Sequence, residues 1–286
     1  MNPVGRAQAM MALRCGKYYF DLGRPLIMGV VNVTPDSFSD GGHFYSVASA
    51  VAHARRLIEE GADLIDIGGE STRPGASEVT LEEERRRILP VLEGLSDVNV
   101  PISVDTRKPA LMREAIAGGA SMINDIEALH SAESVEAVAG SAVAVCLMHK
   151  RGTPANMQLD PRYDDAVADV AKFLAERVAA ACAAGVTRDR LIVDPGFGFG
   201  KTLQHNLQLL RGLGSIAPQG VALLAGLSRK SMLGQITGRA ENQRVFGSVA
   251  AALIAAQHGA HILRVHDVAA TRDALEVWQA VRANSA

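Results

Sequence analysis

Cysteine and aromatic residues are scarce in this sequence, and neither sign of charge dominates it. Three cysteines stand among 286 residues, and no two of them form a C-x-x-C pair. Secreted disulfide scaffolds carry even sets of cysteines in short chains, so we exclude that class and expect a reducing cytoplasm. Aromatic residues make up 4% of the chain and the formal net charge is −2, without a basic run. Nucleic-acid binders present basic faces and stacking aromatics, so nucleic acid is excluded as a partner.

Long hydrophobic runs are missing as well. The longest apolar stretch, residues 249–256, is Ala-rich and far shorter than the ~20 residues that span a bilayer, so we expect no membrane partner. The chain is nevertheless 48% hydrophobic, which is enough for a large buried core. Residues 1–12 lack the features of a secretory signal and are predicted to form a flexible leader before a single domain, residues 13–286.

Eight short apolar runs recur along the chain, each followed by a segment whose apolar residues have helical spacing. Bounded runs of this kind are typical of strands that are buried on both faces, as in parallel sheets. The runs are PLIMGVVNV from Pro25, DLIDIGG from Asp63, PISVDT from Pro101, SMINDI from Ser121, AVAVCLMH from Ala142, RLIVDPG from Arg190, VALLAGLS from Val221 and HILRVHDV from His261. Eight strand–helix units predict an α/β fold, a (β/α)8 TIM barrel, with a doubly wound open sheet as the alternative.

Polar residues at the carboxyl ends of these runs favour the barrel. A barrel gathers the residues that follow its strands at one mouth, where the active sites of such folds lie. The polar residues at these ends are Asn32, Glu70, Asp105, Asn124, Asp125, His149, Asp194, Ser228, Arg229, Lys230 and His266. Before the first run, the segment LRCGKYYFDLGRP predicts a short N-terminal β-hairpin that covers the bottom of the barrel.

The Gly-rich segment GFGFGKT is similar to two nucleotide-binding motifs but has the spacing of neither. A P-loop needs four residues between its first Gly and its Gly-Lys pair, whereas Gly196 and Gly200 enclose three. A dinucleotide-binding motif needs glycine where Lys201 stands. We therefore predict an ordinary turn, whose glycines let the backbone bend sharply below a ligand.

Two further catalytic classes lack their residues. His258 and His261 have no third partner nearby, so a zinc site is not expected there. No G-x-S-x-G motif surrounds Ser228, so a serine hydrolase is not expected either. His149 ends a strand, where it either contacts a ligand or serves as a core residue.

Two polar loops and the last strand indicate an anion site. VNVTPDSFSDGG carries one apolar residue, Phe38, among polar ones, and GGESTRPG carries Arg73. Gly-flanked polar loops of this type cover active sites. Arg264 and His266 alternate on the last strand and so share a face. With the Asn32 amide they favour a phosphate or pyrophosphate site, because a guanidinium group binds two oxygens at once.

A second polar set comes from the third, fourth, sixth and seventh units. Its members are Asp105, Asn124, Asp194 and Lys230. Burying such groups costs free energy unless each finds a partner. A flat heterocycle with an amidine-like N–H edge and a carbonyl would satisfy all four, and the alternative is that they only bond one another.

Eight motifs occur together, in one order, between about residues 25 and 268. They are VNVTPDSFSDGG, DIGGESTRPG, SVDT, INDI, MH…GTP…MQ, DPGFGFGKT, GLSRKS and RVHDV. In this combination the sequence resembles the dihydropteroate synthase family, the folate-biosynthesis branch of the pterin-binding enzymes. The resemblance implies a transferase that condenses 6-hydroxymethyl-7,8-dihydropterin pyrophosphate with 4-aminobenzoate, giving 7,8-dihydropteroate and pyrophosphate. It also implies a homodimer and a target of sulfonamides.

The resemblance further implies roles for individual residues. Asn32 matches the position of a Mg2+ ligand, so Mg2+ is the expected cofactor. The pterin ring is expected on Asp105, Asn124, Asp194 and Lys230, and the pyrophosphate on Arg264 and His266. The other matching substrate-binding positions are Thr72 and, around the aminobenzoate, Phe38, Arg73, Pro74, Phe199 and Ser231. The residues expected to act in catalysis are Asp105, Lys230, Arg264 and His266.

One departure from the family pattern stands after the strand-end His149. Lys150 and Arg151 occupy positions where the family more often has Met-Gln, so we expect an altered outer pocket there. Two other functions remain open at this point. A methyltetrahydrofolate-binding methyltransferase would share the pterin pocket but not the loops around Phe38 and Arg73, and a non-catalytic pterin or phosphate carrier would release no pyrophosphate.

Overall fold

A computed structural model of the chain describes residues 11–34, 47–71, 78–152, 157 and 161–283. Strands and helices alternate through this part of the chain. The strands are β1 Ala12–Cys15, β2 Tyr18–Asp21, β3 Leu26–Asn32, β4 Leu64–Gly68, β5 Ile102–Asp105, β6 Met122–Asp125, β7 Ala144–Met148, β8 Leu191–Asp194, β9 Ala222–Ala225 and β10 Ile262–Val265. The helices are α1 Val47–Glu59, α2 Leu81–Gly94, α3 Pro109–Ala117, α4 Ala132–Ala139, α5 Ala166–Ala183, α6 Leu203–Arg211, α7 Ser231–Thr237, α8 Val245–Gln257 and α9 Val268–Ala283.

Strands β3 to β10 form a closed barrel in which neighbours follow chain order. All eight pairings are parallel, and the ring closes where Ile262 of β10 pairs with Leu26 of β3. Each strand lies within one of the eight apolar runs. The predicted (β/α)8 barrel is therefore confirmed, and the open sheet is excluded. Two helices, α7 and α8, follow β9 instead of one.

Side chains alternate between the barrel interior and the surrounding helices, as a strand period of two requires. In β4, Leu64 packs with the residues that fill the interior, while Ile65 and Ile67 pack against helix residues. The interior filling at the amino ends of the strands is apolar and includes Met28 and Ile192. Further along the same strands the inward positions become polar, which places the polar groups at the carboxyl mouth.

The N-terminal hairpin of β1 and β2 closes the opposite end of the barrel. Leu13 and Cys15 are fully buried against the interior filling, and the Cys15 Sγ lies 3.3 Å from the Ser121 carbonyl oxygen that it donates to. The predicted cover at the barrel bottom is thus confirmed. Strand β1 already begins at Ala12, and residues 1–10 of the expected leader lie outside the described residues.

None of the helices in the described ranges is long and apolar enough to cross a membrane. The three cysteines, Cys15, Cys146 and Cys182, are free thiols.

Candidate active site at the barrel mouth

The carboxyl ends of neighbouring strands set several polar side chains at one level. The register pairs Gly68 of β4 with Asp105 of β5, and Asp105 with Asn124 of β6. Because these positions face inward, their side chains meet inside the barrel rather than in solvent.

Arg264 of β10 is the centre of a buried network. Its Nε donates to Asp66 Oδ2 at 2.6 Å and its Nη2 to Asp105 Oδ2 at 3.1 Å. Asn124 Nδ2 also donates to Asp66 Oδ2, at 3.1 Å. Asp66 is 0% exposed, and its other oxygen, Oδ1, is buried without a hydrogen-bond partner in the described part of the chain. A buried acceptor of this kind costs about 1–3 kcal/mol unless a ligand or water satisfies it.

The charges in this network shift one another's proton affinity. Burial opposes the charge on Arg264, but the carboxylates of Asp66 and Asp105 outweigh that effect and raise the Arg264 pKa. Burial, followed by the charge of Asp66, raises the pKa of Asp105 to about 8, although Arg264 pulls it down. Asp105 therefore keeps its proton to a higher pH than an ordinary surface carboxylate does.

Asp194 and Lys230 form the other half of the polar mouth. Asp194 Oδ1 accepts from Gly196 N at 2.7 Å, and burial raises the Asp194 pKa although Lys230 pulls it down. Lys230 Nζ donates to the Phe197 carbonyl oxygen and lies 4.9 Å from the centroid of the Phe199 ring. Burial lowers the pKa of Lys230 to about 8, so its charge also changes close to neutral pH.

The GFGFGKT segment is the sharp turn that its glycines predict. Gly196 and Gly200 have φ angles of 66° and 63°. A Cβ on Gly196 would stand 1.9 Å from the His149 carbonyl oxygen, and one on Gly200 would stand 2.2 Å from that of Arg151. Glycine is required at both positions because any side chain would collide with the backbone that follows β7.

Asn32 ends β3 and His266 follows β10, the two strands at which the barrel closes. Both residues line one groove beside Arg229. The His266 Nδ1 is 3.0 Å from the Ser228 Oγ, and its backbone N–H donates to the same oxygen at 3.2 Å. Arg264, by contrast, turns into the barrel towards Asp66 and Asp105. The two residues that share a strand face therefore make different contacts, because buried carboxylates attract the guanidinium.

The structure gathers six of the sequence-predicted residues in two groups. Asp105, Asn124 and Arg264 share the first network, and Asp194 and Lys230 contact the Gly-rich turn that carries Phe199. Ser231 is the exposed first residue of α7. The predicted residues that lie outside the described ranges are Phe38, Thr72, Arg73 and Pro74.

Lys150 and Arg151, the two residues after β7 that depart from the family pattern, make contacts of their own. Lys150 Nζ pairs with Glu127 Oε1 at 2.5 Å, and the Arg151 guanidinium lies 4.8 Å from the Tyr163 ring centroid. The first contact joins the loop after β7 to the one after β6, and the second lies within the segment between β7 and α5. The altered outer pocket expected there stays a prediction.

Asp66 is the residue of the site that sequence reasoning missed. It stands inside β4, two positions before Gly68, whereas the polar residues predicted from the sequence stand at strand ends. Its signal was a charged residue at an inward position, two residues after Leu64, in an otherwise apolar run.

Comparisons with known proteins agree with this geometry. Residues 28–266 match the family model described as pterin binding enzyme. A dihydropteroate synthase of Neisseria meningitidis serogroup C is 51% identical over 276 residues, covering 95% of this chain and 98% of that protein.

Two solved structures share the fold over nearly the whole chain. A Xanthomonas albilineans dihydropteroate synthase with 4-aminobenzoic acid has a TM-score of 0.91 and 56% identity, covering 96% of this chain and 99% of that one. A Burkholderia cenocepacia dihydropteroate synthase complexed with 7,8-dihydropteroate has a TM-score of 0.89 and 48% identity, covering 96% and 98%. On its sequence, its barrel and its polar mouth, the chain belongs to the dihydropteroate synthase family of pterin-binding enzymes.

Proposed function

We propose that this chain condenses 6-hydroxymethyl-7,8-dihydropterin pyrophosphate with 4-aminobenzoate, forming 7,8-dihydropteroate and releasing pyrophosphate. The observation that carries the proposal is the polar set at the barrel mouth, in which the Asp66 Oδ1 is buried without a hydrogen-bond partner among the described residues. Such a set costs stability in a purely structural role. The relatives solved with 4-aminobenzoic acid and with 7,8-dihydropteroate support both sides of the reaction.

The pterin ring fits the inner part of the mouth. Its N–H edge would donate to carboxylates such as Asp194, and its carbonyl would accept from Lys230 or from the Asn124 amide. These side chains are held by strand ends and by the Gly-rich turn, so they are oriented before the ligand arrives. Preorganised donors and acceptors of this kind raise affinity because little conformational entropy is lost on binding.

The reaction needs charge stabilisation rather than a protein nucleophile. The bond between the pterin methylene carbon and the pyrophosphate oxygen breaks, and the electron pair leaves with the pyrophosphate. The electron-rich pterin spreads the positive charge left on the methylene, and Asp105 in its ionised form adds a nearby negative charge. The arylamine nitrogen then forms the new C–N bond and loses a proton. Arg264 and His266 are the groups that we assign to the pyrophosphate.

Mg2+ fits the groove that Asn32 and His266 line, with the Asn32 amide oxygen as its protein ligand. No cluster of three or more His, Cys, Asp or Glu that could cage a metal occurs among the described residues. Mg2+ is commonly held by one or two protein oxygens together with substrate phosphates and water, so a single amide beside a pyrophosphate site suits it. When bound, the cation would neutralise charge on the leaving group. A chelator should stop turnover, and added Mg2+ should restore it.

The chain is proposed to work as a cytoplasmic homodimer joined through its C-terminal helices. Large apolar side chains are exposed on α7, α8 and α9, and free thiols suit a reducing compartment. The exposed side chains are Ile236, Phe246, Ile254, Val277 and Val281. Phe246 is 84% exposed, and a partner that covered it would remove a large apolar side chain from water. Sedimentation of the purified chain gives the mass that decides this point.

One assay tests the function. Pyrophosphate release should require both the dihydropterin pyrophosphate and 4-aminobenzoate, and a sulfonamide should inhibit it in competition with aminobenzoate. A methyltransferase domain or a pterin carrier would bind the pterin and release no pyrophosphate. That result would overturn the proposal.

A further inference from the structure

Lys201, the lysine of the Gly-rich turn, is buried inside that turn. Its side chain is 3% exposed, far from the solvent position of a phosphate-binding P-loop lysine. Its Nζ donates to the carbonyl oxygens of Gly196 and Phe199, each at 2.9 Å, and lies 3.0 Å from the His149 Nδ1. The His149 carbonyl oxygen is a weaker fourth contact at 3.4 Å.

The number of acceptors around the Lys201 Nζ matches the number of N–H donors on an ammonium group. An ammonium has three N–H donors and no acceptor, and three good acceptors surround it here. Burial lowers the pKa of Lys201 to about 7, although the charge of Asp194 raises it, so an amine with two N–H donors for the two turn carbonyls is also populated at neutral pH. The imidazole of His149 serves as an acceptor only when neutral. Burial, followed by the charge of Lys201, lowers the pKa of His149 to about 3, so the ring is neutral at physiological pH.

The turn that Lys201 holds carries the contacts of Lys230. The Phe197 carbonyl oxygen accepts from Lys230 Nζ, and the Phe199 ring lies beneath the same group at 4.9 Å. The Gly196 N–H is fixed on Asp194. Lys201 therefore contacts Gly196, directly before the Phe197 carbonyl that orients Lys230, and Phe199, two residues after it.

The turn has other supports as well: the Phe199 N–H donates to the Gly196 carbonyl oxygen at 3.1 Å, and the Tyr163 hydroxyl donates to the Gly200 carbonyl oxygen at 2.9 Å. Gly196, Gly198 and Gly200 all have positive φ angles, and glycine backbones with this freedom lose much entropy when they are ordered. At the far side, Gly198 N–H donates to the buried Asn206 Oδ1 at 2.8 Å. At the near side, only the Lys201 ammonium ties two turn carbonyls and the end of β7 to one point within the described residues.

We propose that Lys201 is a positioning residue for the proposed condensation: its buried ammonium holds the Gly-rich turn so that the Phe197 carbonyl and the Phe199 ring keep Lys230 beside Asp194. The inference rests on the proposed function and adds to it a residue that touches no substrate. Placement matters here because a misplacement of ~1 Å at a reacting group can cost ~100-fold in rate.

Lys201→Met tests the proposal, since methionine keeps the length of the side chain and removes the donors. We expect the catalytic efficiency for the dihydropterin pyrophosphate to fall at least about tenfold, as does the affinity for a non-reactive pterin, at temperatures well below the melting transition. Lys172→Met, on the exposed face of α5, is the matched control and should leave both values unchanged. Circular dichroism and thermal melting report whether each variant folds.

The outcomes separate a positioning role from a structural one. A folded Lys201→Met variant that melts earlier but keeps normal pterin affinity and turnover would overturn the proposal. Should that variant not fold, two changes at His149 decide: His149→Leu removes the Nδ1 acceptor, and His149→Asn places an oxygen near it. Weakened pterin affinity in the Leu variant, restored in the Asn variant, supports the role, and normal affinity in both contradicts it. A wild-type chain without pyrophosphate release would instead refute the proposed function.

Discussion

Gly196→Ala should destabilise the chain more than an alanine at any open turn. Gly196 has a φ angle of 66°, and an alanine in this left-handed region costs about 1–2 kcal/mol. Its Cβ would also stand 1.9 Å from the His149 carbonyl oxygen, where real Cβ atoms keep at least 3.0 Å. The two backbones must therefore move apart by about 1 Å, which costs a further ~1–3 kcal/mol by analogy with overpacked cores. The sum is a loss of about 2–5 kcal/mol in the free energy of unfolding.

Two other glycines separate these terms. Gly185 has a φ angle of 94° and nothing within 4 Å of its added Cβ, so Gly185→Ala should cost only the conformational ~1–2 kcal/mol. Gly140 has a φ angle of −79° and equally open space, so Gly140→Ala should be neutral or stabilise by up to ~1 kcal/mol through the unfolded state.

Urea denaturation of the three variants measures the order. The midpoint should fall most for Gly196→Ala, less for Gly185→Ala and not at all for Gly140→Ala, at equal slopes. If Gly196→Ala is no less stable than Gly185→Ala, the close approach of the turn to β7 is wrong. Pterin affinity should fall in Gly196→Ala alone, because only that glycine lies in the site.

Three further predictions concern the polar mouth. Asp66→Ala should lower the free energy of unfolding by about 1.5–3 kcal/mol, because the half-buried Arg264 loses one charged partner and keeps Asp105. Urea denaturation measures the loss, and one below about 1 kcal/mol would contradict the network. Asp194→Ala and Asn124→Ala should each abolish pterin binding that calorimetry can measure, while the circular dichroism spectrum stays unchanged. Each lost hydrogen bond leaves a buried group of the ligand unpaired, which costs ~1–3 kcal/mol of binding free energy. Near-normal affinity in both variants would refute the pocket. Pterin affinity should decline as the pH rises through about 8, where Lys230 loses its proton. If the Lys230→Gln variant shows the same decline when its pterin affinity is titrated against pH, another group is responsible.

Local pattern was enough to predict the barrel and most of its mouth. Eight apolar runs with helical segments between them define the strands. A strand that is buried on both faces has apolar side chains on both of them, so it reads as a nearly continuous apolar run. Parallel strands of one barrel end at one edge, so the polar residues after them had to converge. For this reason Asp105, Asn124, Asp194 and Lys230 could be assigned to one site from their positions alone. The GFGFGKT turn followed in the same way from its glycines.

The partners of the charged residues were decided only by the tertiary structure. Arg264 pairs with Asp66, 198 positions away in the chain, because barrel closure sets β10 beside β3 and β4 next to it. Lys201 reaches His149 across 52 positions, because the turn folds back on the end of β7. A sequence pattern shows which way a residue points on its own strand, but which opposite charge it meets depends on how the ring closes and on the rotamer that burial selects.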